Sequence, residues 1–181
     1  VSIPNLITLG RIVLVPVVVW AILAGQMGLA FSLFLAAGVS DGIDGFLAKR
    51  FGMTTVLGAY LDPLADKALL VSIYVTLGIN SVLPLWLVIL VVSRDIMIVG
   101  GVLLSWLLGS PMKVKPLIVS KLNTLAQIVL ASVVLGALGL GLSMPGVTYA
   151  LIVVVALTTV LSIAAYLLQW LRHMNAAAAS Q

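Results

Sequence analysis

Long apolar runs alternate with short segments that carry glycine, proline and polar residues. A helix needs about 20 mostly apolar residues to cross roughly 30 Å of hydrocarbon, and the chain offers six stretches of about that length. Pro4 and Asn5 suit a helix start, and the first apolar run extends to about Ala24. Gly25-Gln26-Met27-Gly28 reads as a tight turn. A second helix is expected from about Leu29 to Arg50, a connection from Phe51 to Val56, and a third helix from near Leu57 to Gly78-Ile79-Asn80. A fourth should run from about Leu83 to Leu108. The segment 109–116, with Gly109, Pro111 and Pro116, reads as a loop. A fifth helix is expected from Leu117 to Gly141, a turn over Ser143–Gly146, and a sixth helix from Val147 to Arg172. The pattern predicts an all-α integral membrane protein of six transmembrane helices. It forms one membrane domain over residues 1–174, with an alanine-rich tail at 175–181 expected to be disordered. Internal repeats and a soluble domain are not apparent.

Composition agrees with this pattern. Of 181 residues, 63% are hydrophobic and 8% charged, a balance that points to a membrane protein. The first apolar stretch has no charged leader, so it reads as a membrane helix rather than a cleaved signal. There is no cysteine, hence no disulfide framework and no thiolate metal site. The net charge of +4 is not by itself a sign of nucleic acid. With the N-terminus inside, Lys49, Arg50, Lys113, Lys115 and Arg172 fall in or beside cytoplasmic segments, and Lys67 and Lys121 near cytoplasmic helix ends. The external turns carry neither lysine nor arginine, as the positive-inside rule requires.

The acidic residues change the picture. There are five, all aspartate, and four of them lie within residues 41–66: Asp41, Asp44, Asp62 and Asp66. Spacings of three and four put each pair on one face of a helix. Two facing helices would then bring four carboxylates to one point. Like charges so placed cannot all stay ionised unaided, and divalent cations are the remedy. An all-oxygen set favours a hard ion such as Mg²⁺ or Mn²⁺. The plainer alternative is that the four aspartates merely solvate a cytosolic loop.

The full pattern, Asp41-x2-Asp44-Gly45-x2-Ala48-Lys49-x8-Gly58-x3-Asp62-x3-Asp66, closely resembles the signature of the CDP-alcohol phosphotransferase (CDP-alcohol phosphatidyltransferase) family. It departs at Lys49, where the family usually has arginine; Arg50 follows. The resemblance implies a membrane enzyme, sited in a bacterial inner membrane with its active site facing the cytoplasm at the ends of helices 1–3. Such an enzyme transfers a substituted phosphate from a cytidine-diphosphate donor to an alcohol. It implies two Mg²⁺ or Mn²⁺ ions, with Asp41 and Asp62 contacting both, Asp44 one and Asp66 the other. Asp66 is also the implied base for the acceptor hydroxyl. Donor contacts are implied for Gly45, Lys49, Thr55 and Gly58, and more loosely for Asn5 and Thr8 of the first helix. Read alone, the glycines would suit close helix packing and Lys49 an interfacial anchor. A homodimer is implied by the resemblance alone; Gly100 and Gly101 are small enough for close packing.

The acceptor side is less defined. Arg94 and Asp95 lie near the middle of the fourth helix, where ionisable groups are costly and are paired or functional. Lys121, Asn123, Thr124 and Gln127 add polarity near the start of the fifth. Arg94 and Lys121 are candidate acceptor contacts. The competing reading makes this set an ion pair and interhelical hydrogen bonds. Ser93-Arg94-Asp95 with Lys115–Thr124 looks most like the cardiolipin synthases of the family, which use CDP-diacylglycerol and phosphatidylglycerol. Phosphatidylglycerophosphate synthases, whose acceptor is glycerol 3-phosphate, are the alternative. A cation or proton transporter would also place carboxylates in a membrane, but such proteins tend to show internal repeats.

Overall fold

The structure is a computed structural model and describes residues 3–51, 56–107 and 118–178. Among the described residues six helices follow one another and there is no strand: α1 (Ile3–Leu23), α2 (Met27–Phe51), α3 (Val56–Ile79), α4 (Leu85–Leu107), α5 (Ile118–Gly139) and α6 (Pro145–Ala178). Each lies close to its expected bounds. The exception is α6, which continues beyond Arg172 to Ala178. Alanine is the strongest helix former, so the alanine-rich segment prolongs the helix.

Among the described residues, two helical segments are long and apolar enough to cross a membrane: Ile118–Gly139 and Pro145–Arg172. Ile7–Leu23 and Met27–Ile43 are shorter apolar stretches. α3 carries Asp62, Asp66 and Lys67, and α4 carries Arg94 and Asp95.

Three helix ends close with the same hydrogen-bonded motif, in which a residue with positive φ lets two amides reach back to the last carbonyls. After α1, Gln26 N–H donates to Ala21 O at 2.8 Å and Gly25 N–H to Ile22 O at 3.0 Å. After α5, Leu142 N–H donates to Ala137 O at 2.8 Å, with Gly141 at φ 66°. After α3 the left-handed position falls to Ser81, at φ 57°, where a side chain makes the conformation less favourable than it is for glycine.

The chain comprises two compact units. The first combines Val1–Leu83 with Ala131–Pro145. In it α1 packs on both α2 and α3. Val18, Ala21 and Ile22 of α1, Ala30 and Phe34 of α2, and Ile73, Tyr74 and Leu77 of α3 are buried, at the spacing of three and four that one helix face gives. The start of α2 meets the end of α5 without side chains between them. A Cβ added to Gly139 would lie 2.7 Å from Gly28 Cα and 2.8 Å from Gly28 N. A Cβ on Gly28 would meet Gly139 O at an ordinary 3.7 Å.

The second unit combines Pro84–Leu130 with Gly146–Gln181. Its apolar core includes Leu87, Val88, Val91, Leu130, Ile152 and Val155. At its centre is Arg94, 1% exposed. Its Nη1 donates to Asp95 Oδ1 at 2.6 Å, and its Nε and Nη2 donate to Ser162 Oγ at 3.1 and 3.0 Å. Nη2 also donates to Ser120 Oγ, and the Tyr166 ring centroid lies 5.9 Å from Cζ. One side chain of α4 thus ties α5 and α6. Close by in sequence, the Thr158 and Thr159 hydroxyls each lie 2.9 Å from Asn123 Oδ1 as donors, with their own helix carbonyls as alternative acceptors.

Two stability outcomes follow from these contacts. Gly139→Ala forces backbone apart and should destabilise by about 1–3 kcal/mol, whereas Gly28→Ala should stay within about 0.5 kcal/mol of wild type. Unfolding midpoints in detergent check this, and equal losses would contradict the asymmetry. Asp95→Asn leaves the Arg94 charge buried without its counter-charge and should cost about 3 kcal/mol. A midpoint unchanged from wild type would show that Asp95 does not balance Arg94.

Candidate functional site

The site is built from α1, α2 and α3 of the first unit. Arg11, on α1, is 2% exposed. A lone guanidinium there would be costly, and it is not alone. Its Nη1 lies 2.9 Å from Asp41 Oδ1 on α2 and is paired with Asp66 Oδ1 on α3. Both carboxylates are 46% exposed on their side chains. The cation therefore sits on the buried side and the carboxylates reach toward the accessible side. Asp41 and Asp66, two of the four aspartates expected to converge, approach one another here, and a positive charge stands where they meet.

Asp44, Gly45 and Lys49 lie along α2 and Gly58 and Asp62 along α3; the placement of their side chains lies outside the described part, as does that of Asn5 on α1. Thr55, Lys113 and Lys115 lie outside the described residues. Among the described residues, no group of three or more Asp, Glu, His or Cys side chains gathers into a metal-binding cluster. The two described aspartates nevertheless fit a hard cation. Two carboxylate oxygens from separate helices hold one cationic nitrogen between them, and oxygen is the donor that Mg²⁺ and Mn²⁺ prefer.

Thr8 is fully buried one turn before Arg11 and is engaged within the protein. Lys121 is exposed on α5. Arg94, expected as an acceptor contact, instead directs its donors to Asp95, Ser120 and Ser162. Asn123 is held by α6 threonines. Both arrangements match the ion-pair and interhelical-bond reading of that region. Sequence reasoning gave Arg11 no part in the aspartate site. The signal was a buried-depth arginine in an apolar helix, in a chain whose unmatched acids were few.

Comparison with known proteins gives the family. The family model described as CDP-alcohol phosphatidyltransferase matches residues 1–168. A relative from Oryza sativa, "CDP-diacylglycerol--glycerol-3-phosphate 3-phosphatidyltransferase 1, chloroplastic", is 38% identical over 151 residues, covering 74% of this chain and 46% of its own. The Drosophila melanogaster "Probable cardiolipin synthase (CMP-forming)" is 34% identical over 152 residues, covering 75% and 47%. The Homo sapiens "Cardiolipin synthase (CMP-forming)" is 32% identical over 152 residues, covering 75% and 50%. The chain spans about half the length of these relatives. A family model that covers nearly the whole chain, and a matching aspartate pattern whose two described members meet in space, lead to one conclusion: this chain belongs to the CDP-alcohol phosphatidyltransferase family.

Proposed function

We propose that this chain transfers the phosphatidyl group of CDP-diacylglycerol to the hydroxyl of phosphatidylglycerol, forming cardiolipin and releasing CMP. The observation that carries the site is the convergence of Asp41 and Asp66 on one cationic position. Family membership supports the reaction class, and the names of the Drosophila and human relatives support this acceptor. A second reading, glycerol 3-phosphate as acceptor, is favoured by the name of the rice relative. Both share the donor and the site.

The proposed metal set is Asp41, Asp44, Asp62 and Asp66, holding two Mg²⁺ or Mn²⁺ ions. When bound, these ions would neutralise the donor pyrophosphate and the charge growing on departing CMP. The acceptor oxygen forms a new bond to the phosphorus on the diacylglycerol side. The bond from that phosphorus to CMP breaks, and CMP leaves with the electron pair. The hydroxyl proton passes to Asp66, the general base. Asn5, Gly45, Lys49, Thr55 and Gly58 bind the donor, and Thr8 supports α1 beside them. Lys121 contacts the acceptor. Arg94 acts indirectly, holding Ser120 and with it the adjacent Lys121.

The outward faces of the helices support a membrane setting. Leu9, Val13, Trp20 and Leu23 of α1, Trp86, Ile89, Ile96 and Val99 of α4, and Leu157, Val160, Leu161 and Leu168 of α6 are all exposed. Helices that are apolar on outer as well as inner faces suit lipid rather than water. On this reading all six cross the bilayer of a bacterial inner membrane, with the aspartates on the cytoplasmic side. A homodimer is part of the proposal. Added Cβ atoms at Gly100 and Gly101 would meet nothing within 4 Å, which leaves that stretch of α4 open for close packing.

The direct test offers purified protein CDP-diacylglycerol, Mg²⁺ or Mn²⁺, and either phosphatidylglycerol or glycerol 3-phosphate. Cardiolipin and CMP should form from the first acceptor; phosphatidylglycerophosphate from the second alone would establish the rival reading. Asp66→Asn should lower CMP release by about 100-fold or more with helical content retained. Release at the wild-type rate would remove Asp66 from the role of base.

A further inference from the structure

We propose that Arg11 is a built-in counter-cation of the aspartate site, occupying the place between Asp41 and Asp66 that a divalent ion takes when it binds. The inference rests on the metal reading above. Arg11 Nη1 makes its contacts to Asp41 and Asp66 through their Oδ1 atoms. A small divalent ion bridging those same atoms would lie about 2.0–2.1 Å from each, in the space the nitrogen fills. The two occupants therefore exclude one another. Electrostatics points the same way: a guanidinium beside a doubly charged ion in a poorly solvated place is repelled.

The geometry also shows why such a residue is useful. Without a cation, two carboxylates from α2 and α3 would repel and drive those helices apart. Arg11 approaches from α1, which packs on both, so the site is held in shape before metal arrives. Its guanidinium is buried while both carboxylates are half-exposed. An ion can thus reach the carboxylates from the accessible side and displace the guanidinium along its flexible stem. Arg11 is accordingly a positioning residue that opposes metal binding and preserves the metal-free site.

Two measurements on metal-stripped protein test this: Mn²⁺ affinity by loss of the free-ion EPR signal, and the unfolding midpoint with chelator or saturating Mn²⁺. Arg11→Gln should bind Mn²⁺ about tenfold more tightly, within the usual range of coupling between two sites. Its midpoint should fall in chelator and approach that of wild type in Mn²⁺. Arg11→Lys retains a charge but not the planar fork, so its affinity should lie between the two, and it serves if Arg11→Gln does not fold. Mn²⁺ affinity in both variants equal to or weaker than wild type, or a midpoint loss of the same size with and without Mn²⁺, would overturn the proposal. Asp41→Asn separates the two failures. If Asp41→Asn loses Mn²⁺ while the Arg11 variants bind as wild type does, only the counter-cation role falls. If wild type itself binds no Mn²⁺, the metal reading falls, and this inference with it.

Discussion

A buried guanidinium held between two half-exposed carboxylates is the interaction around which α1, α2 and α3 are arranged. Arg11, Asp41 and Asp66 each come from a different helix, and each would be costly without the others. The guanidinium would be stranded in an apolar interior, and the carboxylates would repel. The apolar contacts of α1 with its neighbours supply cohesion without direction. The charged contact supplies register, because a helix moved by one residue turns its side chain about 100° away.

The second buried arginine solves the same problem differently. Arg94 takes its counter-charge from the adjacent residue, Asp95, and its remaining contacts from Ser120 and Ser162. Its charge is neutralised locally, and its hydrogen bonds fasten three helices. Arg11 instead draws its counter-charges from residues that the proposed reaction requires. One arginine is therefore fitted to hold structure and the other to hold a site whose occupant changes. The hydroxyls of Ser32, Ser40, Ser72 and Thr76 likewise donate to carbonyls four residues back in their own helices.

Helix positions were legible because apolar runs and turn residues are local signals. Gly25 lies in the turn expected after the first helix, whereas Gly141, expected to end the fifth helix, stands two residues beyond its end at Gly139; both adopt positive φ. Ser81 occupies an equivalent turn although it is not glycine. Two of the acids singled out in the sequence, Asp41 and Asp66, meet in space; the spacing argument pairs them with Asp44 and Asp62, whose side chains lie outside the described part. The part played by Arg11 was not legible, since its partner Asp66 is 55 residues away, a pairing that depends on how α1 packs against α3. Arg94 illustrates the reverse limit. Its depth showed that it needed partners, but the choice between an acceptor and its own neighbours depended on where Ser120 and Ser162 fall in space.

The most direct measurement is anomalous diffraction from crystals of the protein soaked in Mn²⁺. The account predicts a Mn²⁺ peak within bonding distance of both Asp41 and Asp66, with the Arg11 guanidinium withdrawn from between them. Mn²⁺ bound elsewhere, or a guanidinium still bridging the two carboxylates in metal-loaded crystals, would contradict it.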